Sequence, residues 1–277
     1  MFAGMDFETL IVERADGIVS VTMNRPERKN AANATMWDEL LRVFRDVAAN
    51  PADRVMVLTG AGGAFCSGAD VGGMAPAAGS EAVDGERGEE APKPHQLAAM
   101  RHISEIATAL HRIPQPTIAK VRGIAAGAGM NMALLCDLVV ASDNARFSEI
   151  FARRGLTLDF GGSWILPRRV GLHRAKELAL LADIIDAAEA DRIGLVNRVV
   201  ADADLDEFVG EWAARLAASA PIAIGQSKRL LNNAMSITLE QALDDEGSTQ
   251  TINFTTRDTA EAVRAFLEKR DPTFQGR

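Results

Sequence analysis

The chain holds only two cysteines in 277 residues, Cys66 and Cys136, and neither belongs to a C-x-x-C pair or a zinc-spaced cluster. A disulfide framework is excluded, and both are read as small buried residues. No apolar run approaches the roughly 20 residues that cross a bilayer. The opening MFAGMDFETLIVERADG lacks the basic and apolar stretches of a secretory signal, so no membrane partner and a cytoplasmic location are expected. Positive charge is scarce: the formal net charge is -8 and no Arg/Lys stripe with interleaved aromatics occurs, which argues against a nucleic-acid partner. It leaves room for an anionic small ligand, which a few local cations or a helix N-terminus can hold. The four histidines, His95, His102, His111 and His173, form no base-nucleophile pattern and are read as surface or helix-end residues. Two nucleotide signatures are also missing. After Gly60-x-Gly62 the next required position is Phe65 instead of glycine, and no G-x-x-x-x-G-K-[ST] loop occurs. Neither a metal nor a prosthetic group is expected.

What is present is an ordinary globular composition, 47% hydrophobic and 25% charged, enough for one large domain with an appendage. Strand-like runs at 10–14 and 18–23 read as a hairpin through Ala15-Asp16-Gly17. Trp37, Leu40, Leu41, Phe44 and Val47 sit at helical spacing over 36–48, with Thr35 as the expected N-cap. A strand over 55–59 then runs into a glycine-rich segment. From Gly72 to Pro94 the chain is rich in Gly, Ala, Pro and acid, a surface excursion read first as a mobile loop without gating and only second as a substrate-dependent lid. Helical spacing resumes over 97–111 and stops at Pro114 and Pro116. A strand over 117–121, a second glycine-rich segment, a helix over 130–136 and a strand over 138–141 follow, the succession of a layered α/β fold. Beyond Gly171 the pattern is mostly helical, over 173–182, 187–193, 206–216, 221–232 and 261–269, with a short strand over 196–200. The division is drawn between a core over 1–200 and a helical region over 201–277 for subunit packing and active-site cover.

The two glycine-rich segments carry the chemistry. Gly68 and Ala69 in the first, and Gly127, Ala128 and Gly129 in the second, let backbone N–H groups approach a ligand closely, the second with a helix N-terminus behind it. Two converging amides suit an oxygen that gains negative charge; one such donor is worth about 3 kcal/mol at a transition state. Tight core turns would explain the glycines equally well.

VTMNRPERKNA (21–31), VLTGAGGAFCSGADV (57–71), AKVRGIAAGAGMNMALLCDLVVAS (119–142), FARRGLTLDFGGSWILPRRVG (151–171) and AFLEKRDPTFQGR (265–277) together resemble the crotonase, or enoyl-CoA hydratase/isomerase, superfamily over nearly the whole chain. The resemblance implies an α/β spiral of ββα turns with a helical C-terminal region, assembled as a homotrimer or dimer of trimers. It implies coenzyme A as the thioester carrier of the substrate and an oxyanion hole at the Ala69 and Ala128 amides, the latter commonly glycine in the family. The positions matching the two catalytic glutamates of the hydratases hold Asn131 and Phe151 here, and neither is a carboxylate. Asp159, in the segment where related isomerases and a dehalogenase branch present an aspartate, is the replacement, unless it only caps a helix starting near Phe160.

One carboxylate suffices to move a double bond, so isomerisation of a 3-enoyl-CoA to the 2-enoyl-CoA through a dienolate is the leading expectation. Hydration of a 2-enoyl-CoA, with Asn131 holding the water, is the runner-up, and a noncatalytic acyl-CoA-binding protein the alternative of another class. Hydrolytic dehalogenation would use Asp159 as nucleophile. Phe151, Leu158 and Phe160 are expected to shape the acyl pocket. Glu149 is a second acid, read more readily as a surface or subunit ion-pair residue than as a proton carrier. Arg25, Asp70, Lys228, Phe266 and Lys269 are the candidates around the carrier, Asp70 chiefly as a loop cap and Lys269 reaching a neighbour's ligand.

Overall fold

The computed structural model describes residues 6–70, 72 and 96–277; apart from Gly72, the surface excursion over 72–94 lies outside the described residues. Strands β1 (Leu10–Ala15), β2 (Ile18–Met23), β3 (Val55–Gly60), β4 (Thr117–Val121), β6 (Leu138–Ser142) and β9 (Arg198–Val200) form one sheet in that order. The first pair is antiparallel, and every later pair in this sheet is parallel. β5 (Ile124–Ala126), β7 (Arg146–Ser148) and β8 (Ile185–Asp186) make a second, smaller sheet. Strand pairs that step from one sheet to the other and return through helices are the expected spiral of ββα turns, and a helical C-terminal region follows it.

Period-two alternation decides which face each strand residue covers. Met56 and Leu58 enter the main core with α1 (Ala34–Ala49) and α2 (Gln96–His111), whereas Val55 and Val57 join Ile118 and Val140 beneath α6 (Leu205–Ala217), whose Leu205, Val209 and Ala213 close the other face. α1 buries the expected stripe, Trp37, Leu40, Leu41, Phe44 and Val47. Each large apolar side chain so buried contributes about 1.5–3 kcal/mol. Its N-cap is Asn33, not Thr35: the Asn33 side chain accepts the Met36 N–H at 2.9 Å, so the helix starts earlier than the apolar pattern shows. α3 (Ala128–Leu135) is buried at all eight positions, which puts it at the centre of the molecule.

α4 (Gly162–Leu181) is broken at Gly171, where φ is 74° and ψ 161°, so the helix expected over 173–182 is only its second half. Its N-cap is Gly161, with no side-chain cap, and Asp159 therefore caps no helix. After α5 (Ala187–Arg192), β9 and α6 come α7 (Pro221–Asn233), α8 (Leu239–Phe254) and α9 (Arg257–Glu268). No helix of the described residues is long and apolar enough to cross a membrane. Both thiols are free and buried, and burial pushes Cys66 up to about 11 and Cys136 to about 12, so neither supplies a thiolate. His102 pairs with Asp38 at 2.7 Å on the surface and His111 ends α2 edge-on to Trp164, the roles expected of them.

Candidate active site

The two glycine-rich segments lie against each other at the C-terminal ends of the parallel strands. Cys66 bridges to Ala125, and the Ala126 N–H donates to the Cys66 carbonyl at 2.9 Å. The fit leaves no room for side chains. A Cβ on Gly129 would come within 2.3 Å of the Cys66 carbonyl oxygen, and one on Gly68 within 3.0 Å of the Ala126 oxygen and 3.8 Å of the Ala128 nitrogen. Gly68 and Gly127 also adopt positive φ, 99° and 54°, just before the two alanines. The neighbouring amides are used: Asp70 N–H donates to the Ala32 carbonyl at 2.9 Å and Gly127 N–H to that of Ser148 at 2.9 Å. Neither the Ala69 nor the Ala128 N–H donates to any acceptor among the described residues. Ala128 is the first residue of α3, so the positive end of that helix stands behind its N–H.

Asn131 lies one turn further along α3, on the same side as Ala128. Its Nδ2 donates to the Asp159 carbonyl at 3.0 Å and to Glu149 Oε2 at 3.4 Å, joining the chain before α4 to the short helix after β7. This closure depends on Gly162, because a Cβ there would lie 2.3 Å from Asn131 Nδ2. It also holds Phe160 at φ 49°, an unfavourable setting for a bulky residue, which is offset by burying the ring in the main core 5.4 Å from Trp37. Phe160 therefore packs in the core, Leu158 is half-buried, and Phe151 is buried beside the second glycine-rich segment, 3.5 Å from where a Cβ on Gly127 would stand.

Three buried oxygens of this cluster have no hydrogen-bond partner among the described residues: Asn131 Oδ1, Asp159 Oδ1 and Glu149 Oε1. Burial pushes the Asp159 carboxyl up to about 6. Burial also pushes Glu149 up, to about 8, with the Asp159 charge adding to the shift and the Asn131 amide opposing it. The surface or ion-pair role expected of Glu149 is thus replaced: it is 0% exposed and pairs with no cation among the described residues. The available signal was its two-residue spacing between Phe147 and Phe151, both buried.

Arg25 pairs with Asp70 at 3.0 Å, beside Ala69, and also donates to the Ala31 carbonyl. Asp70 accepts the Gly72 N–H at 3.1 Å, and that bond and the Arg25 guanidinium hold its carboxyl below the usual carboxylate range. The other carrier candidates stand apart within one chain. Lys228 is held by Asp137 at 2.7 Å and the Gln115 carbonyl at 3.0 Å, at the N-terminal ends of β6 and β4, the opposite edge from Ala69 and Ala128. Phe266 is 82% exposed on α9, and Lys269 is its exposed C-cap.

The family described as enoyl-CoA hydratase/isomerase matches residues 13–277. The chain belongs to the enoyl-CoA hydratase/isomerase family. It is 35% identical over 274 residues to the 1,2-epoxyphenylacetyl-CoA isomerase of Escherichia coli, covering 99% of this chain and 100% of that one. It is 34% identical over 271 residues to the crotonyl-CoA hydratase of Syntrophomonas wolfei, covering 98% and 99%. The crystal structure of an enoyl-CoA hydratase from Bacillus anthracis superposes with a TM-score of 0.87 at 30% identity, covering 98% of this chain and 100% of that one. The chain is an enzyme of this family, with the fold and the acyl-CoA hydration or isomerisation chemistry the family shares. Among the described residues of this enoyl-CoA hydratase/isomerase, no group of three or more metal-ligating side chains occurs.

Proposed function

We propose that the enzyme adds water across the double bond of a 2-enoyl-CoA, with Asp159 as acid/base, and the observation that carries this reading is the pair of unpartnered acceptors Asn131 Oδ1 and Asp159 Oδ1. A water has two hydrogens to place, and two acceptors around one fixed carboxamide hold it and aim its oxygen. The thioester oxygen accepts the Ala69 and Ala128 N–H groups. Asp159 takes a proton from the water as its oxygen bonds to C3, and the C2–C3 π electrons move onto the thioester as an enolate. The protonated Asp159 then gives its proton to C2, so that OH and H are added and the carboxylate is restored. A carboxyl with a midpoint near the working pH suits both halves of that cycle. Named hydratases among the relatives, such as that of S. wolfei, support the same reading.

Double-bond isomerisation is the second reading, favoured by a different observation. Of the two acids, Glu149 is fully buried and Asp159 is a half-buried residue, and one base within reach of the acyl group is all that a proton shift from C2 to C4 requires. The isomerase of E. coli is the relative that supports it. A product-resolved assay separates the two. Hydration turns a 2-enoyl-CoA into a 3-hydroxyacyl-CoA, whereas isomerisation turns a 3-enoyl-CoA into its 2-enoyl isomer without taking up water; formation of the isomer alone would defeat the first reading.

The carrier is proposed to lie from the Ala69 and Ala128 amides toward Arg25. Phe266, Lys269 and Lys228 would serve, if they serve the carrier, across a subunit boundary of a homotrimer or dimer of trimers. The exposed apolar side chains of the last helices, Leu231, Leu239, Phe254, Phe266 and Leu267, support such packing. The division of the chain near residue 200 belongs to this proposal.

A further inference from the structure

Glu149 is buried more completely than any other carboxyl near the site, and its side chain makes no cap to the short helix it precedes. A carboxylate there would be hard to sustain. It would have one amide donor, at 3.4 Å, and a second carboxyl nearby. The charged groups around it offer no relief. Asp159, from the segment before α4, is of the same sign; Arg153, on its own short helix, is paired with Asp183; Arg154 is exposed; and α3 contributes only the uncharged Asn131.

The unpartnered oxygens show how the group is accommodated. Glu149 Oε2 already accepts from Asn131 Nδ2, which leaves Glu149 Oε1 and Asn131 Oδ1, one on each group, both buried and both without a partner among the described residues. Two acceptors cannot bond to each other, but a carboxylic acid and a primary amide can make two bonds in a ring, N–H to one oxygen and O–H to the other. We propose that Glu149 is a positioning residue that works as a neutral carboxylic acid, pairing with the Asn131 carboxamide through Nδ2–H to Oε2 and Oε1–H to Oδ1, and so fixing Asn131 for the water it holds. The second lone pair of Asn131 Oδ1 stays open to that water. Ionising Glu149 breaks the ring and puts a second negative charge beside Asp159 and the forming enolate. The inference rests on the hydration reading for the purpose of the ring, though not for its existence.

The ring predicts a rescue pattern. Gln at 149 can make the same two bonds, amide to amide, at any pH, while Ala can make neither. Glu149→Gln should stay within about tenfold of the wild-type kcat and Glu149→Ala should fall about a hundredfold, the scale of a misplaced site group, with KM changed little in both. Wild-type kcat/KM should drop about tenfold one pH unit above the Glu149 midpoint, and the Gln variant should lack that alkaline limb. Infrared spectra of the intact enzyme should show a protonated carboxyl band at neutral pH that fades as pH rises through about 8 and is absent from the Gln variant. A Gln variant as damaged as the Ala variant, or one that keeps the alkaline limb, would overturn the proposal. If the Gln variant does not fold, the spectrum of Asp159→Asn decides, since the band that remains above neutral pH must then be that of Glu149, and its absence sinks the idea. Failure of hydration with the band present removes the hydration reading alone; hydration with no such band removes this one alone.

Discussion

The centre of the molecule and its last three helices break the usual rule of burial in opposite directions. Around Asn131, three polar oxygens are buried without a partner among the described residues, and a fully buried glutamate faces a second acid. On α7–α9, Leu231, Leu239, Phe254, Phe266 and Leu267 are each at least 69% exposed. Both departures cost free energy in an isolated chain, the first through lost hydrogen bonds and the second through wet apolar surface. On the function proposed above, a small polar visitor relieves the first and a large apolar surface the second. The comparison thus assigns the polar departure to the proposed chemistry and the apolar one to the proposed assembly, and mutations should separate them.

The strongest test at the centre is Asp159→Asn. The shape is kept and the base removed, so kcat should fall about 10²–10⁴-fold while acyl-CoA binding and the mass of the assembly stay the same. Steady-state assay, calorimetric binding and light scattering check the three parts; a variant that also changes its assembly state would erase the separation. Next in size is Gly162→Ala, whose new methyl must displace the Asn131 carboxamide. A drop of about a hundredfold in kcat is expected, again with assembly intact. Near-wild-type turnover would mean that Asn131 does not need its present placement.

At the helices, the double change Phe266→Asp with Leu267→Asp should shift the mass in solution toward that of one 29.6 kDa chain. Activity should fall through KM more than kcat, since the cluster proposed to be catalytic is built within one chain. An unchanged mass would show that these side chains are not what holds copies together.

Much of the fold was legible because burial writes a period into the sequence. The stripe of α1 and the unbroken apolar run of β3, a strand covered on both faces, are both visible from residue types alone. α8 was not foreseen, because only Thr249 of its sixteen residues is buried and the chain there is polar nearly all round. β5, β7 and β8 escaped as well, being two or three residues long. At the site, Ala69, Ala128, Asn131 and Asp159 stood out through the resemblance of their segments to a known family. Glu149 stood out only as a second acid, read as a surface or subunit ion-pair residue, since its own residue type gives no hint of its depth; only Phe147 and Phe151 on either side carried that information. Lys228 shows the converse, a cation in a suggestive segment that folding commits to Asp137.

The smallest effect concerns stability, and its sign follows from which state holds the proton. Burial raises the Glu149 carboxyl from an ordinary 4.5 to about 8, so between those values the native chain keeps a proton that the unfolded chain has lost. Stability is therefore full below about pH 4.5 and declines as pH rises through the folded midpoint, by at most about 1.4 kcal/mol per pH unit for this one group. Asp159, raised by burial to about 6, acts in the same direction but is spent lower on the scale. The window from about 6 to 8 thus belongs to Glu149, and Glu149→Gln should flatten the fall there and leave only the Asp159 share of the steeper fall at lower pH. Urea midpoints measured across that window for wild type and variant give the slope directly. Equal slopes would mean that the centre carries no buried proton and that its polar oxygens are relieved by water alone. A flattened slope in Glu149→Gln, with the Phe266 and Leu267 changes shifting midpoints equally at every pH, would show that the two departures from the rule of burial are energetically separate.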